Sequence, residues 1–297
     1  PANRTYLGTL GDHDVDRLST SLGNSTNRSK AAAAVLMLQP FPPVIYYGDE
    51  FGIIGTGGDK EARHDLFPTQ VSSWQVQERV GSAPIGSGSS FDVKSHPVGD
   101  HLRTLAGLRK QFPVLWRGAT LPRDRNDGAM AISRFDMTAQ VEYVTLFNNS
   151  LESRVLEFTT STPSTKFVSV WGDVASTPSD ADGFVSVEIP PLSAAILRAD
   201  AKFPLAKQAP VVTAGPDDFS ELWLLSAETS DSPQEVSFLI DDGKGWRRIA
   251  VDDSYPYRAF VAPDSLPAGA TSRIVAVSRF ADGTLVRGQV ATFTNTK

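Results

Sequence analysis

Along this chain the spacing of apolar positions changes once, near residue 115. Before that point short apolar runs alternate with helical periods. Tyr6-Leu7-Gly8-Thr9-Leu10 is strand-like. Ser25-Thr26-Asn27 offer N-cap groups for a small-residue helix through Ala31-Ala-Ala-Ala-Val-Leu-Met-Leu38, which Pro40 stops. Val44–Tyr47 is wholly apolar, as a parallel strand covered on both faces would be. Gly81–Ser90 carries too little apolar content for an element and reads as a Gly/Ser loop. Ser95-His96-Pro97 then opens a second helix with a cap and a first-turn proline. Its Leu102, Leu105, Leu108 and Phe112 fall on one face, and Pro113 ends it.

Beyond residue 115 the period becomes two. Val141–Phe147, Arg154–Phe158, Phe167–Trp171, Phe184–Ile189 and Ala194–Leu197 are short strands separated by Ser, Thr, Pro and Asp-Gly turns, the pattern of an antiparallel β-sandwich. Lys202–Pro210 reads as a linker, and 211–297 as a second all-β block. Its best hairpin signal is Asp282-Gly283 between Ser272–Phe280 and Thr284–Phe293. The expected architecture is therefore multidomain, α/β followed by all-β, with units at 1–114, 115–200 and 211–297 and a linker at 201–210.

Composition narrows the function. The net charge of −6 comes without any Lys/Arg run, so a footprint for nucleic acid is missing. Ala31 to Tyr47, the longest apolar stretch, is broken by Gln39 and prolines and is too short to span a bilayer. Without cysteine, disulfides and thiolate metal sites are excluded, which leaves the compartment open.

Chemistry concentrates after the first apolar run. Gly11-Asp-His-Asp-Val-Asp-Arg17 puts His13 and Asp14 at a strand's C-terminal end, where a parallel α/β barrel keeps its catalytic groups. By residue type alone the pair reads more readily as a capped loop after a strand than as a site. Three further segments follow in order: Pro43–Phe51 (PVIYYGDEF), Gly55–Pro68 (GTGGDKEARHDLFP) and His96–Arg117 (HPVGDHLRTLAGLRKQFPVLWR). Together these motifs resemble the last quarter of the catalytic barrel in the α-amylase superfamily of glycoside hydrolases, and the resemblance covers residues 1–117.

That resemblance implies the C-terminal part of a TIM (β/α)8 barrel at 1–114 and the family's β-sandwich domain C at 115–200. Residues 211–297 resemble immunoglobulin-like modules appended to exported enzymes, which implies a secreted or periplasmic protein, with the cytoplasm as the alternative. The implied function is retaining hydrolysis of α-glucans such as starch or maltodextrin. Asp14 would stabilise the oxocarbenium-like transition state, and His13 would bind the same sugar. Arg17 would neutralise the Asp12, Asp14 and Asp16 cluster beside the substrate. The family's nucleophile and general acid come from earlier strands, and no Gly-x-Arg-x-Asp segment occurs here. The chain is thus expected to begin inside the barrel, to need the N-terminal barrel segment as partner, and to be inactive alone. The alternative is a non-catalytic β module that binds carbohydrate or protein.

Other candidates read more plainly. Asp49-Glu50 resembles an acid/base dyad, but neighbouring strand residues point to opposite faces, so a structural role is expected. Gly55–Asp65 lacks the ending of a phosphate loop. Asp59, Glu61 and Asp65 do not have the spacing of a calcium loop; no cofactor is implied, and a structural calcium is left open. His64, His96 and His101 show no zinc spacing and read as surface or cap residues. Of the five tryptophans, Trp74 is the one candidate for stacking on substrate; Trp116, Trp171, Trp223 and Trp246 read as core or interface.

Overall fold

The computed structural model describes residues 7–55, 60–87, 91–204, 207–229, 233–280 and 283–296. Strand β1 (Gly8–Thr9) pairs in parallel with β2 (Pro43–Val44), Gly8 opposite Pro43. A side chain at Gly8 would run into the Phe41 ring, which explains the glycine. Between these strands lie α1 (Leu18–Ser21) and α2 (Thr26–Met37), the latter capped by Ser25 Oγ accepting from the Arg28 amide at 3.3 Å. Next come α3 (Ser72–Gln75), α4 (Pro97–Gln111) and α5 (Val114–Arg117). His96 caps α4 through its ring, Nδ1 accepting from the Val98 amide, and Nε2 donates to Val80 O at 2.8 Å.

The α4 leucines at 102, 105 and 108 are buried against Ala33, Ala34 and Met37 of α2, where small side chains let the two helices approach. Of the expected 44–47 strand only Val44 joins the ladder, with Pro43 before it, and Val44, Ile45 and Tyr47 are exposed rather than covered on both faces. Among the described residues no layer packs over them.

Eight strands follow: β3 (Ala119–Asn126), β4 (Ala129–Asp136), β5 (Val141–Asn148), β6 (Arg154–Thr159), β7 (Lys166–Trp171), β8 (Thr177–Pro178), β9 (Phe184–Ile189) and β10 (Ser193–Lys202). Six form one sheet, ordered β3-β4-β5-β10-β7-β8, and β6-β9 face it as a two-stranded ladder. Val144, Leu146, Leu156, Phe158, Phe167 and Leu197 fill the space between. The opposite face of the large sheet is apolar too. Ile132, Phe147, Ala194 and Ile196 share one core with α2 and α4. Strands β3 and β4 escape the alternating pattern because both faces of this part of the sheet carry polar groups; buried Ser133 and Arg134 interrupt the apolar residues of β4. The last strand also continues through Lys202, and Phe203 is buried beside Phe135, so the expected boundary at 201 cuts through a strand rather than a linker.

The C-terminal block holds β11 (Val211–Pro216), β12 (Trp223–Glu228), β13 (Glu235–Asp241), β14 (Arg247–Asp252), β15 (Tyr257–Val261), β16 (Thr271–Arg279), β17 (Leu285–Arg287) and β18 (Ala291–Thr294). One sheet runs β11-β12-β15 and the other β14-β13-β16-β17, with Trp223, Leu225, Val236, Phe238, Tyr257 and Ile274 between them. Instead of one return strand after the expected hairpin, two short strands, β17 and β18, both pair with β16. Asp282 and Tyr6 lie outside the described residues.

Leu105 is fully buried where α4 meets α2 and the sheet. Leu105→Ala is expected to cost about 2–5 kcal/mol through the lost methyls and the cavity left behind. Urea unfolding followed by far-UV circular dichroism and by near-UV signals of the sheet should shift together; a shift of the helical signal alone would contradict a shared core.

Candidate functional site

The chain leaves β1 through a turn built by its own polar groups. Thr9 Oγ1 donates to Gly11 O at 2.7 Å, and Asp12 Oδ1 accepts from the Asp14 amide at 2.8 Å. This turn presents His13 and Asp14 to solvent, their side chains 56% and 67% exposed, with Nε2 and Oδ1 3.1 Å apart. Arg63 Nη2 stands 3.8 Å from the same carboxylate oxygen. Asp14 is therefore flanked by an imidazole and a guanidinium, which gives the patch donors for hydroxyl oxygens and an acceptor for hydroxyl protons.

Beneath this exposed pair lies a buried support. Arg17 is fully buried: Nη1 donates to Tyr47 O and stands 3.6 Å from Asp49 Oδ1. Its guanidinium lies 4.4 Å from the Tyr46 ring centroid and 4.9 Å from that of Tyr47. The Arg17 amide donates to Gly55 O at 3.2 Å, and the Gly55 amide donates to Thr20 Oγ1 at 2.8 Å, which fastens the following loop to the same spot. Gly48 has φ +94, and a Cβ there would come within 3.1 Å of Arg17 Nη1, so the tight passage of the chain over the guanidinium requires glycine. Glu50 Oε2 accepts from the Gly48 amide at 2.7 Å, and Tyr46 Oη donates to Ala62 O at 3.1 Å.

Arg17 thus departs from the sequence expectation. It neither touches Asp14 nor reaches the surface; the carboxyl facing it is that of Asp49, and Arg63 is the cation beside Asp14. Asp49 and Glu50 take structural parts, but on a 3₁₀ turn (Asp49–Phe51) and not on a strand. Burial pushes the Asp49 carboxyl up to about 7, with Arg17 opposing that rise and Glu50 adding to it. Burial likewise pushes the Tyr46 phenol up to about 12.

The histidines are more enclosed than their spacing suggests. His64 is buried, paired with Gln77 Oε1 and covered by Trp74, ring centroids 4.9 Å apart. Burial holds its pKa below the usual imidazole value, although the Gln77 hydrogen bond works the other way. His96 is a buried cap, and His101 is half-buried beside Trp171; burial lowers both. Trp74 is half-buried as the lid over His64, one residue on from Arg63. Among the described residues, Asp12, His13 and Asp14 are the one trio with donor atoms within 4.8 Å of one another; all three are exposed. Glu61 and Asp65 join no such group, and Asp59 lies outside the described residues.

Arg63 is the site residue that the sequence did not single out. It lies in the loop after β2, and only the fold returns that loop to the His13-Asp14 turn.

The chain is 31% identical over 284 residues to an α-amylase of Streptomyces lividans, a match covering 90% of this chain and 31% of the relative. It is 48% identical over 114 residues to the α-amylase SusG of Bacteroides thetaiotaomicron, covering 37% of this chain and 16% of that protein. In structure it is similar to the α-amylase of Geobacillus thermoleovorans complexed with acarbose: TM-score 0.51, 21% identity, 67% of this chain and 39% of the other. No family model matches. The chain spans 31% of the length of the Streptomyces relative, less than a third.

The support carries a pH signature. Between about pH 4 and pH 7 the unfolded Asp49 has lost its proton while the folded one keeps it, so the folded state binds more protons and stability falls as pH rises through this window. Asp49→Asn is expected to flatten that fall. Urea midpoints of the two proteins at pH 5 and pH 8 test it; parallel changes in both would assign the fall to other groups.

Proposed function

The chain corresponds to the C-terminal portion of α-amylase superfamily glycoside hydrolases, and on that premise we propose that its exposed His13–Asp14 pair faces the sugar of an α-glucan during retaining hydrolysis. The observation that carries this reading is the accessible pair itself, 3.1 Å apart, raised from the end of a parallel strand on a buried Arg17–Asp49 support. Accessible groups on a rigid base suit a task in which a carboxylate must meet developing positive charge without reorganising.

In this reading Asp14 accepts hydrogen bonds from sugar hydroxyls and its negative charge stabilises the oxocarbenium-like state. His13 donates to the same sugar, and Arg63 holds the Asp14 carboxylate in place. Trp74, half-exposed over His64, the chain neighbour of Arg63, supplies an apolar ring edge for substrate. The nucleophile and the general acid, about 5–5.5 Å apart in a retaining site, come from the part of the enzyme beyond the span matched here. Residues 1–114 form the end of a (β/α)8 barrel, 115–200 extended to Lys202 form domain C, and 211–297 form an immunoglobulin-like sandwich of an exported protein. The exposed Val44, Ile45 and Tyr47 are the surface on which the remaining barrel packs.

Two measurements test the proposal. The 297-residue chain should not hydrolyse a chromogenic maltooligosaccharide. In an enzyme that includes the upstream barrel, Asp14→Asn should lower kcat by about 10²–10³-fold with KM changed far less. Hydrolysis by the chain alone, or an Asp14→Asn enzyme at full rate, would sink it.

A further inference from the structure

A cleft of about 1280 Å³ opens between the end of the helical segment and the C-terminal block. Its walls come from the Pro40–Pro43 passage before β2, from Trp116 to Gly118 at the end of α5, and from β14 and β15. It is distinct from the His13–Asp14 patch. That patch follows the C-terminal ends of β1 and β2, whereas the cleft borders the residues leading into β2.

Four aromatic side chains line it: Phe41, Trp116, Tyr255 and Phe260. Phe260 is 52% exposed and Trp116 36%, large values for rings that could have been buried. The Trp116 ring is held in place, its Nε1 donating to Arg109 O at 3.2 Å and the Arg117 guanidinium 4.1 Å from its centroid. Planar polar groups stand among the rings, including Arg117, Asp253 and Arg258. Of the charged lining residues, Arg109 is taken up by the Met37, Gln39 and Phe41 carbonyls and Glu235 by Arg279, which leaves Arg117 and Arg258 with Asp252 and Asp253. Neither sign dominates, so the cleft is not built for a polyanion or a polycation. What fits is a neutral ligand with apolar faces for the rings and many hydroxyls for the carboxylates and guanidinium groups. The size exceeds the 300–1,000 Å³ or so of a drug-sized pocket, so several linked units are accommodated.

We infer that this cleft is a second carbohydrate-binding site, taking a segment of α-glucan chain outside the catalytic patch; the choice of α-glucan rests on the proposed function. Trp116 and Phe260 supply stacking platforms, and the position between the blocks lets one polymer be held there while another stretch reaches the His13–Asp14 patch.

Titration calorimetry of the 297-residue chain with maltoheptaose tests the inference, with folding of each variant checked by thermal melting. Trp116→Ala and, separately, Phe260→Ala should each weaken binding about tenfold or more, while His13→Ala/Asp14→Ala should leave it within about twofold. Binding lost in the His13/Asp14 variant and kept in both ring variants would overturn the cleft while supporting the catalytic patch. No binding of maltoheptaose, or equal affinity for cellohexaose, would overturn the cleft as an α-glucan site. Self-association through this face, seen as a concentration-dependent dimer that either ring variant abolishes, would overturn it as well.

Discussion

The structure turns on one apolar joint, the burial of α2 and α4 against the outer face of the six-stranded sheet. A sheet of an ordinary sandwich has one wet face. Here Ile132, Phe147, Ala194 and Ile196 make the second face dry, and the helices cover it. Because hydrophobic burial is non-directional, the joint needs polar anchors to set its geometry. Arg109 of α4 supplies them at one end, donating to Met37 O at 2.7 Å, Gln39 O at 2.8 Å and Phe41 O at 3.3 Å. Arg134 of β4 adds Leu38 O and the Gln39 side chain. The carbonyls left open at the end of α2 are thereby satisfied by cations, which also suit the negative end of the helix. The chain then turns through Pro40–Pro43 into β2, so the direction of β2, and with it the height of the candidate site, follows from these contacts.

Charge is handled differently above and below the site. Arg17 and Asp49 are both out of water, and the Arg17 Nε and Nη2 find no hydrogen-bond acceptor among the described residues. Such a pair is a poor source of stability, since desolvation offsets much of its attraction. Its value lies in geometry: one guanidinium links the motif after β1 to the turn after β2, while Tyr46 and Tyr47 line it. Above it His13, Asp14 and Arg63 remain in water, where their mutual attraction is weak.

The C-terminal block touches the rest where the Tyr255 amide donates to Thr120 O of β3 at 3.1 Å, and Lys207 Nζ, in the segment leading into the block, donates to Thr284 Oγ1 at 2.9 Å. The space left beside the Tyr255 contact is the cleft of Trp116 and Phe260. An open joint of this kind leaves room for a ligand between blocks, where an apolar joint like that of α2 and α4 leaves none.

Local periodicity and punctuation were readable from the residues alone. The 3.6 spacing of Leu102, Leu105 and Leu108 marks the buried face of α4, Ser25 and His96 mark helix starts, and Phe184–Ile189 alternates exposed and buried along its length. Each is a property of a few neighbouring residues, so burial follows from the spacing. The order of motifs likewise pointed to the exposed His-Asp turn. Partners distant in sequence were out of reach. Arg17 bonds to Tyr47 across 30 residues, and Arg134 to Leu38 across 96. Whether an arginine is solvated or buried depends on what the fold places over it, and no local pattern carries that information. For the same reason His64 reads as a surface residue until Gln77 and Trp74 close on it, and Arg63 has no mark of function until its loop returns to Asp14. Strand β4 belongs here too: it is buried on both faces, with polar Ser133 and Arg134 among its apolar residues, so its sequence shows no alternation and only the elements packed on either side reveal it.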